Sequence, residues 1–117
     1  MGARKRNSSE KIKEERKSQA LAKLKNCPTS PRKMRLVADL VRGVDVYKAL
    51  NILKFNPKHS SRNLEKLLLS AINNWEQKNE GEDATEANLV VKSIHVDSAR
   101  MLKRIQAAPQ GRAHRIR

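Results

Sequence analysis

Apolar positions recur with a helical period through the middle of the chain. Met34, Val37, Ala38 and Val41 stand at i, i+3, i+4 and i+7, the spacing of one face of an α-helix. Ser30 precedes Pro31, a capping residue followed by proline at the first helical position, and Gly43 stands where a C-terminal cap belongs. The spacing predicts an amphipathic helix over roughly 31–42, with Arg32, Arg35, Asp39 and Arg42 on a different face. A second helix follows, capped by Asp45 and carrying Val46, Ala49, Leu50 and Leu53 at the same spacing. Asn56-Pro57 ends it and opens a third, predicted over about 58–78. Its long stripe of Leu64, Leu67, Leu68, Ala71, Ile72 and Trp75 marks it as the central core helix.

The flanking segments follow other patterns. Residues 1–19 are polar and charged. They suit a short solvated helix capped by Ser8 or Ser9, or a segment disordered without a partner. Residues 20–27 suit either the end of that helix or a short strand. Residues 79–88 form an acidic loop. Residues 89–97 are rich in β-branched side chains, with Val90, Ile94 and Val96 expected on one face and Ser93, His95 and Asp97 on the other, which predicts a half-buried strand. Residues 98–117 carry six basic groups and no acid around an Ala108-Pro109-Gln110-Gly111 turn signal. Too few large apolar residues lie there to bury a face, so this segment reads as a basic arm that a polyanion orders. The fold predicted is α+β: three helices packed on a small sheet, with a strand leading into the arm. The expected division is an N-terminal extension over 1–19, a globular domain over 20–97 and an arm over 98–117.

Charge sharpens this picture. At 117 residues the chain suits one domain plus extensions, and its net charge is +14. Residues 58–97 are slightly acidic, with five basic and seven acidic groups, while the segments on both sides are strongly basic. That distribution describes a binding footprint, and nucleic acid is its expected partner. No apolar run is long enough to span a bilayer, and the basic stretches lack the apolar face of an interfacial helix. The basic start, Met1-Gly-Ala-Arg-Lys-Arg6, has no apolar stretch after it and does not read as a secretory signal. Gly2 lacks the Ser or Thr that myristoylation wants where Arg6 stands. Cys27 is the only cysteine, so no internal disulfide or two-Cys, two-His metal site is expected, and a reducing compartment suits the chain.

The arginine face of the first predicted helix is a candidate phosphate contact, since guanidinium meets phosphate oxygens bidentately; the bland reading is a solvated face. The helices over 31–55 superficially suit a helix-turn-helix, but the second is mostly apolar and offers few base-reading side chains. Trp75, Tyr47 and Phe55 all lie in or beside apolar stripes and are expected in the core rather than as a stacking platform. His59, His95 and His114 are scattered along the chain. No activated nucleophile, carboxylate pair or glycine-rich phosphate loop is evident, and no enzyme activity, cofactor or metal is expected.

Several segments in order resemble one family. Ser30-Pro-Arg-Lys-Met-Arg-Leu-Val-Ala-Asp-Leu-Val-Arg-Gly43 is similar to the first helix of ribosomal large-subunit protein twenty-two. Val46-Tyr-Lys-Ala-Leu-Asn-Ile-Leu53 and Leu67-Leu-Leu-Ser-Ala-Ile-Asn-Asn74 resemble its second and third helices. Ile94-His-Val-Asp97, Lys103-Arg-Ile105 and Gly111-Arg-Ala-His-Arg-Ile116 resemble its long hairpin. The resemblance covers roughly residues 20–117.

It implies a small antiparallel sheet, a long protruding basic β-hairpin arm and a place in the large subunit of a cytoplasmic ribosome. Expected partners are large-subunit rRNA, neighbouring ribosomal proteins and, transiently, the nascent polypeptide, with no membrane and no homo-oligomer. Arg32, Lys33, Arg35, Arg42 and Lys48 would dock the globular part on rRNA. Arg100, Lys103, Arg104, Arg112, His114, Arg115 and Arg117 would follow phosphates along the arm. Ala108, Pro109, Gln110, Gly111 and Arg112 would line the peptide exit tunnel, and a role in early subunit assembly is implied. The leading rival is a free DNA-binding protein of helix-turn-helix type, which predicts dimerisation and a preferred duplex site. Eleven outgoing residues, 98–108, could reach about 36 Å, but only six follow Gly111. The expectation is therefore that the return arm is too short, and that the native chain continues for on the order of 15 residues to complete the sheet.

Overall fold

Helix period and capping place three of the four helices found among the described residues. A computed structural model describes residues 2–117. It contains α1 (Ala3–Ser18), α2 (Pro31–Val41), α3 (Val46–Phe55), α4 (Ser60–Lys78), β1 (Arg104–Ala107), a 3-10 turn (Pro109–Gly111) and β2 (Ala113–Ile116). α2 buries Met34, Val37, Ala38 and Val41. α3 buries Val46, Ala49 and Leu53 behind Asp45, whose carboxylate accepts from the Lys48 amide at 3.4 Å. α4 contributes Leu64 and Ile72. Val37, Val41 and Leu53 are almost completely buried, and each such side chain stabilises the fold by about 1.5–3 kcal/mol through area removed from water. Two adjoining clusters result: Val37, Ala49, Leu53 and Leu64 in one, and Val46, Ile72 and Ala84 in the other.

Several expectations are corrected. The N-terminal segment is a 16-residue helix, so the described residues form four helices rather than three. It begins at Ala3, and Ser8 and Ser9 lie inside it rather than capping it. None of its residues is buried; the exposed Arg6–Glu10 pair at 3.3 Å adds only about 0.3 kcal/mol. Residues 20–27 are neither helix nor strand. Asn74 and Lys78 of α4 hold this segment by donating to the Leu21 and Gln19 carbonyls.

The largest correction concerns residues 89–97, where a strand was expected. Only an isolated bridge between Asp45 and Val90 forms there. A ladder needs a partner strand, and this segment meets the α2–α3 connection instead. Gly43 N–H donates to Val91 O at 2.9 Å, Val91 N–H to Val44 O at 3.0 Å, and Val46 N–H to Leu89 O at 2.9 Å. Leu89, Val91, Ile94 and Val96 pack partly buried against the helices. Val90 is 57% exposed and does not share the face of Ile94 and Val96. The helices therefore pack on one another and on an extended segment, not on a sheet.

Among the described residues the one sheet is antiparallel and two-stranded, β1 with β2, pairing Arg104 with Ile116, Ile105 with Arg115, Gln106 with His114 and Ala107 with Ala113. The residues after Gly111 thus suffice for a hairpin, but its strands have four residues each and it is not the long one expected. The radius of gyration is 19.9 Å and the longest extent 66 Å, whereas a compact chain of this length would have a radius of roughly 13 Å.

The aromatic residues also divide. Trp75 packs partly buried beside Ile72 and Ala84, as expected. Tyr47 is 37% exposed and Phe55 79% exposed. Nine residues after Val46, Phe55 has turned to the opposite side of α3, and Lys54 Nζ lies 5.9 Å from its ring centre.

Candidate nucleic-acid interface

The arginine face of α2 is turned toward the chain's own backbone. Arg35 donates through Nε and Nη2 to Val96 O at 3.0 and 2.9 Å, and through Nη2 to Ser98 Oγ at 3.3 Å. Arg42 is ion-paired with Asp39 and donates through Nη2 to Ile94 O at 3.0 Å. The i, i+4, i+7 spacing of Arg35, Asp39 and Arg42 aligns them along the extended segment. The two planar guanidinium groups satisfy carbonyls that a neighbouring strand would otherwise have taken. They thereby fasten the root of the arm to the helical body. Sequence reasoning missed this role, because a stripe of arginines has the same spacing whether it faces phosphate or a carbonyl.

Arg32, Lys33 and Lys48 are exposed, and among the described residues their side chains form no hydrogen bond or ion pair. They remain available to an outside anion, while Arg35 and Arg42 have donors already engaged.

The arm is exposed almost throughout. From residue 98 to 117 only Ala108 is even partly buried. Arg100, Lys103, Arg104, Arg112, His114, Arg115 and Arg117 therefore all lie in solvent. Arg104 donates only to the neighbouring Lys103 carbonyl, at 2.9 Å. Cross-strand pairing places Arg104, Gln106, His114 and Ile116 on one face of the hairpin, and Ile105, Ala107, Ala113 and Arg115 on the other. Cations thus emerge from both faces, an arrangement suited to being surrounded by phosphate rather than laid on a flat surface.

The tip is sharply shaped. Gln110 and Gly111 both adopt left-handed backbone, with φ of 62° and 69°, which a side-chain-bearing residue such as Gln110 seldom visits. Ala108 N–H donates to Arg112 O at 2.9 Å, and Arg112 N–H to Pro109 O at 3.4 Å. Pro109, Gln110 and Arg112 project outward at the end of the hairpin.

His59, His95 and His114 lie on different segments, and among the described residues no three His, Cys, Asp or Glu side chains converge. Cys27 is a partly buried free thiol packed against the first core cluster. Among the described residues no helix is long and apolar enough to cross a membrane.

Comparison with known proteins converges on one family. The family model described as ribosomal protein L22p/L17e matches residues 22–117. The large ribosomal subunit protein uL22 of Flavobacterium johnsoniae is 68% identical over 117 residues, covering 100% of this chain and 85% of that protein. The protein of the same name from Christiangramia forsetii is 65% identical over the whole chain and 87% of its own length. That of Parabacteroides distasonis is 59% identical, over 100% and 85% respectively.

Proposed function

The chain belongs to the ribosomal protein L22p/L17e family, and from that membership we propose that it is a structural component of the large ribosomal subunit that binds the subunit's rRNA. It acts in the cytoplasm, on the ribosome, by charge and shape rather than by catalysis. Its neighbours are rRNA and other ribosomal proteins, with no membrane and no second copy of itself.

The observation that carries this reading is the arm: six basic groups and no acid over 98–117, all exposed, with Arg104 and Arg115 on opposite faces of the hairpin. Such a segment repels itself in free solution and gains most when phosphate surrounds it. Each phosphate neutralised releases condensed counterions, and binding then falls by roughly 0.7–0.9 log units per tenfold rise in salt. Arg100, Lys103, Arg104, Arg112, His114, Arg115 and Arg117 line the arm's path through rRNA. Arg32, Lys33 and Lys48 dock the helical body, while Arg35 and Arg42 set the angle at which the arm leaves it. The tip over 108–112 lines the nascent-peptide exit tunnel, where Pro109, Gln110 and Arg112 meet the growing chain. Early binding of the body, followed by ordering of the arm as rRNA closes around it, gives the protein its part in subunit assembly.

Sedimentation of cell extract tests the reading. Comigration with the large subunit in moderate salt is the expected result, and a predominantly free soluble pool would overturn it.

A further inference from the structure

The outward side of α3 carries rings, an amide and cations together. Tyr47, Lys48, Asn51, Lys54 and Phe55 are all exposed, and α3 contains no Asp or Glu. Lys48, Asn51 and Phe55 stand at i, i+3 and i+7, which aligns them in one stripe about 10 Å long. Tyr47, one turn before Asn51, borders that stripe. Among the described residues the side chains of Lys48, Asn51 and Lys54 make no hydrogen bond or ion pair.

Phe55 is the most exposed large apolar side chain of the described residues, at 79%. It is the last residue of α3, and Asn56 behind it is extended, as a residue before proline tends to be, so the helix stops at the ring. Lys54 Nζ stands 5.9 Å from the ring centre, within cation–π range. One face of the ring thus holds a cation, and the opposite face is open to solvent. An exposed ring set among lysines, with no acid on its helix, suits a ligand that joins negative charge to a flat π surface. An unpaired nucleotide has both, since every base has a π-face that stacks on an aromatic side chain. A bare phosphate gains nothing from the rings, and a second copy of this face is repelled by the same lysines.

We propose that this face of α3 is a base-stacking site that holds one unpaired base of RNA. The base lies on the open face of the Phe55 ring, and the Asn51 amide, both donor and acceptor, reaches its edge. Lys48 and Lys54 offset the charge of the strand that carries it. The site rests on the rRNA-binding reading given above and deepens it: the helical body meets RNA through a base as well as through charge. Stacked bases within a duplex are not open to an aromatic ring, so the segment it binds is a loop, bulge or end.

The test is fluorine NMR of the full chain grown with para-fluorophenylalanine. Phe55 is the only phenylalanine, so a single resonance reports on its ring. Large-subunit rRNA fragments and inorganic polyphosphate, which carries charge without bases, are titrated separately. The expected result is an upfield shift with RNA at phosphate concentrations where polyphosphate leaves the resonance in place. With the same RNA, Phe55→Leu weakens binding by roughly 5- to 150-fold, the effect of losing one stacked base. The salt slope stays unchanged, and Phe55→Tyr keeps the parent affinity. An equal shift with polyphosphate, or a Phe55→Leu variant that binds RNA as the parent does, overturns the stacking site. So does a ring that responds only once neighbouring ribosomal proteins are added, which assigns the face to a protein contact. A silent ring while the amides of residues 100–104 respond to RNA overturns this site alone and leaves the rRNA reading standing. Silence at both removes both.

Discussion

Arg35 and Val96 are joined by two hydrogen bonds across 61 residues of sequence, from Nε and Nη2 to a single carbonyl at 3.0 and 2.9 Å. That contact, with the Arg42–Ile94 bond beside it, attaches the extended segment to α2 just before the arm begins. Arg35→Ala is expected to destabilise the fold by about 1–2 kcal/mol, toward the low end for bonds to a charged donor because the site is exposed. Hydrogen exchange should rise at residues 94–98 while the α2 and α4 amides keep their protection. Uniform loss of protection across the chain would assign Arg35 to global stability instead.

Leu53 and Phe55 are two residues apart on α3 and should behave oppositely. Leu53 is 2% exposed and Phe55 79%. Leu53→Ala is expected to lose about 2–5 kcal/mol in urea unfolding, through lost transfer energy and the cavity left behind. Phe55→Ala is expected to stay within about 0.5 kcal/mol of the parent. A large loss at Phe55 would mean its ring packs against something in solution.

Replacing Arg100, Lys103 and Arg104 with Gln removes three cations from the arm. The slope of log binding constant against log salt should shrink by about 2–3 for large-subunit rRNA. The thermal midpoint should not move, because these side chains are exposed. An unchanged slope would reject the arm as a phosphate binder.

Gly43 has φ +74° and open space where a Cβ would stand. Gly43→Ala therefore meets no clash, yet it must hold a left-handed backbone at a cost of about 1–2 kcal/mol. Because Gly43 N–H also donates to Val91 O, the loss should be accompanied by faster exchange at Val91, whose amide bonds to Val44. Unchanged stability would show that the α2–α3 connection adopts another conformation in solution.

An isolated two-stranded hairpin is marginally stable in water. In the free protein, the amides of residues 104–116 are expected to exchange quickly, and they should gain protection once rRNA is bound. Full protection without RNA would show that the arm holds its shape by its own packing.

The helices were legible because their signals are local. The spacing of Met34, Val37, Ala38 and Val41, the Asp45 cap and the Pro31 start act within one or two turns of chain, and each formed as expected. The excess of positive charge, its absence from the middle of the chain and the turn at Pro109–Gly111 were readable for the same reason. Long-range pairing decided the rest. Residues 89–97 have the composition of a strand, but a strand exists only where another can bond to it, and here the α2–α3 connection and two arginines took those bonds. Arg35 and Arg42 could be recognised as fasteners only once their carbonyl partners, 61 and 52 residues away, were brought beside them. Phe55 is likewise exposed because of which side of α3 faces the core. Periodicity and charge are properties of neighbours along the chain; the partner of a donor, and the side of a helix left in water, are set by packing.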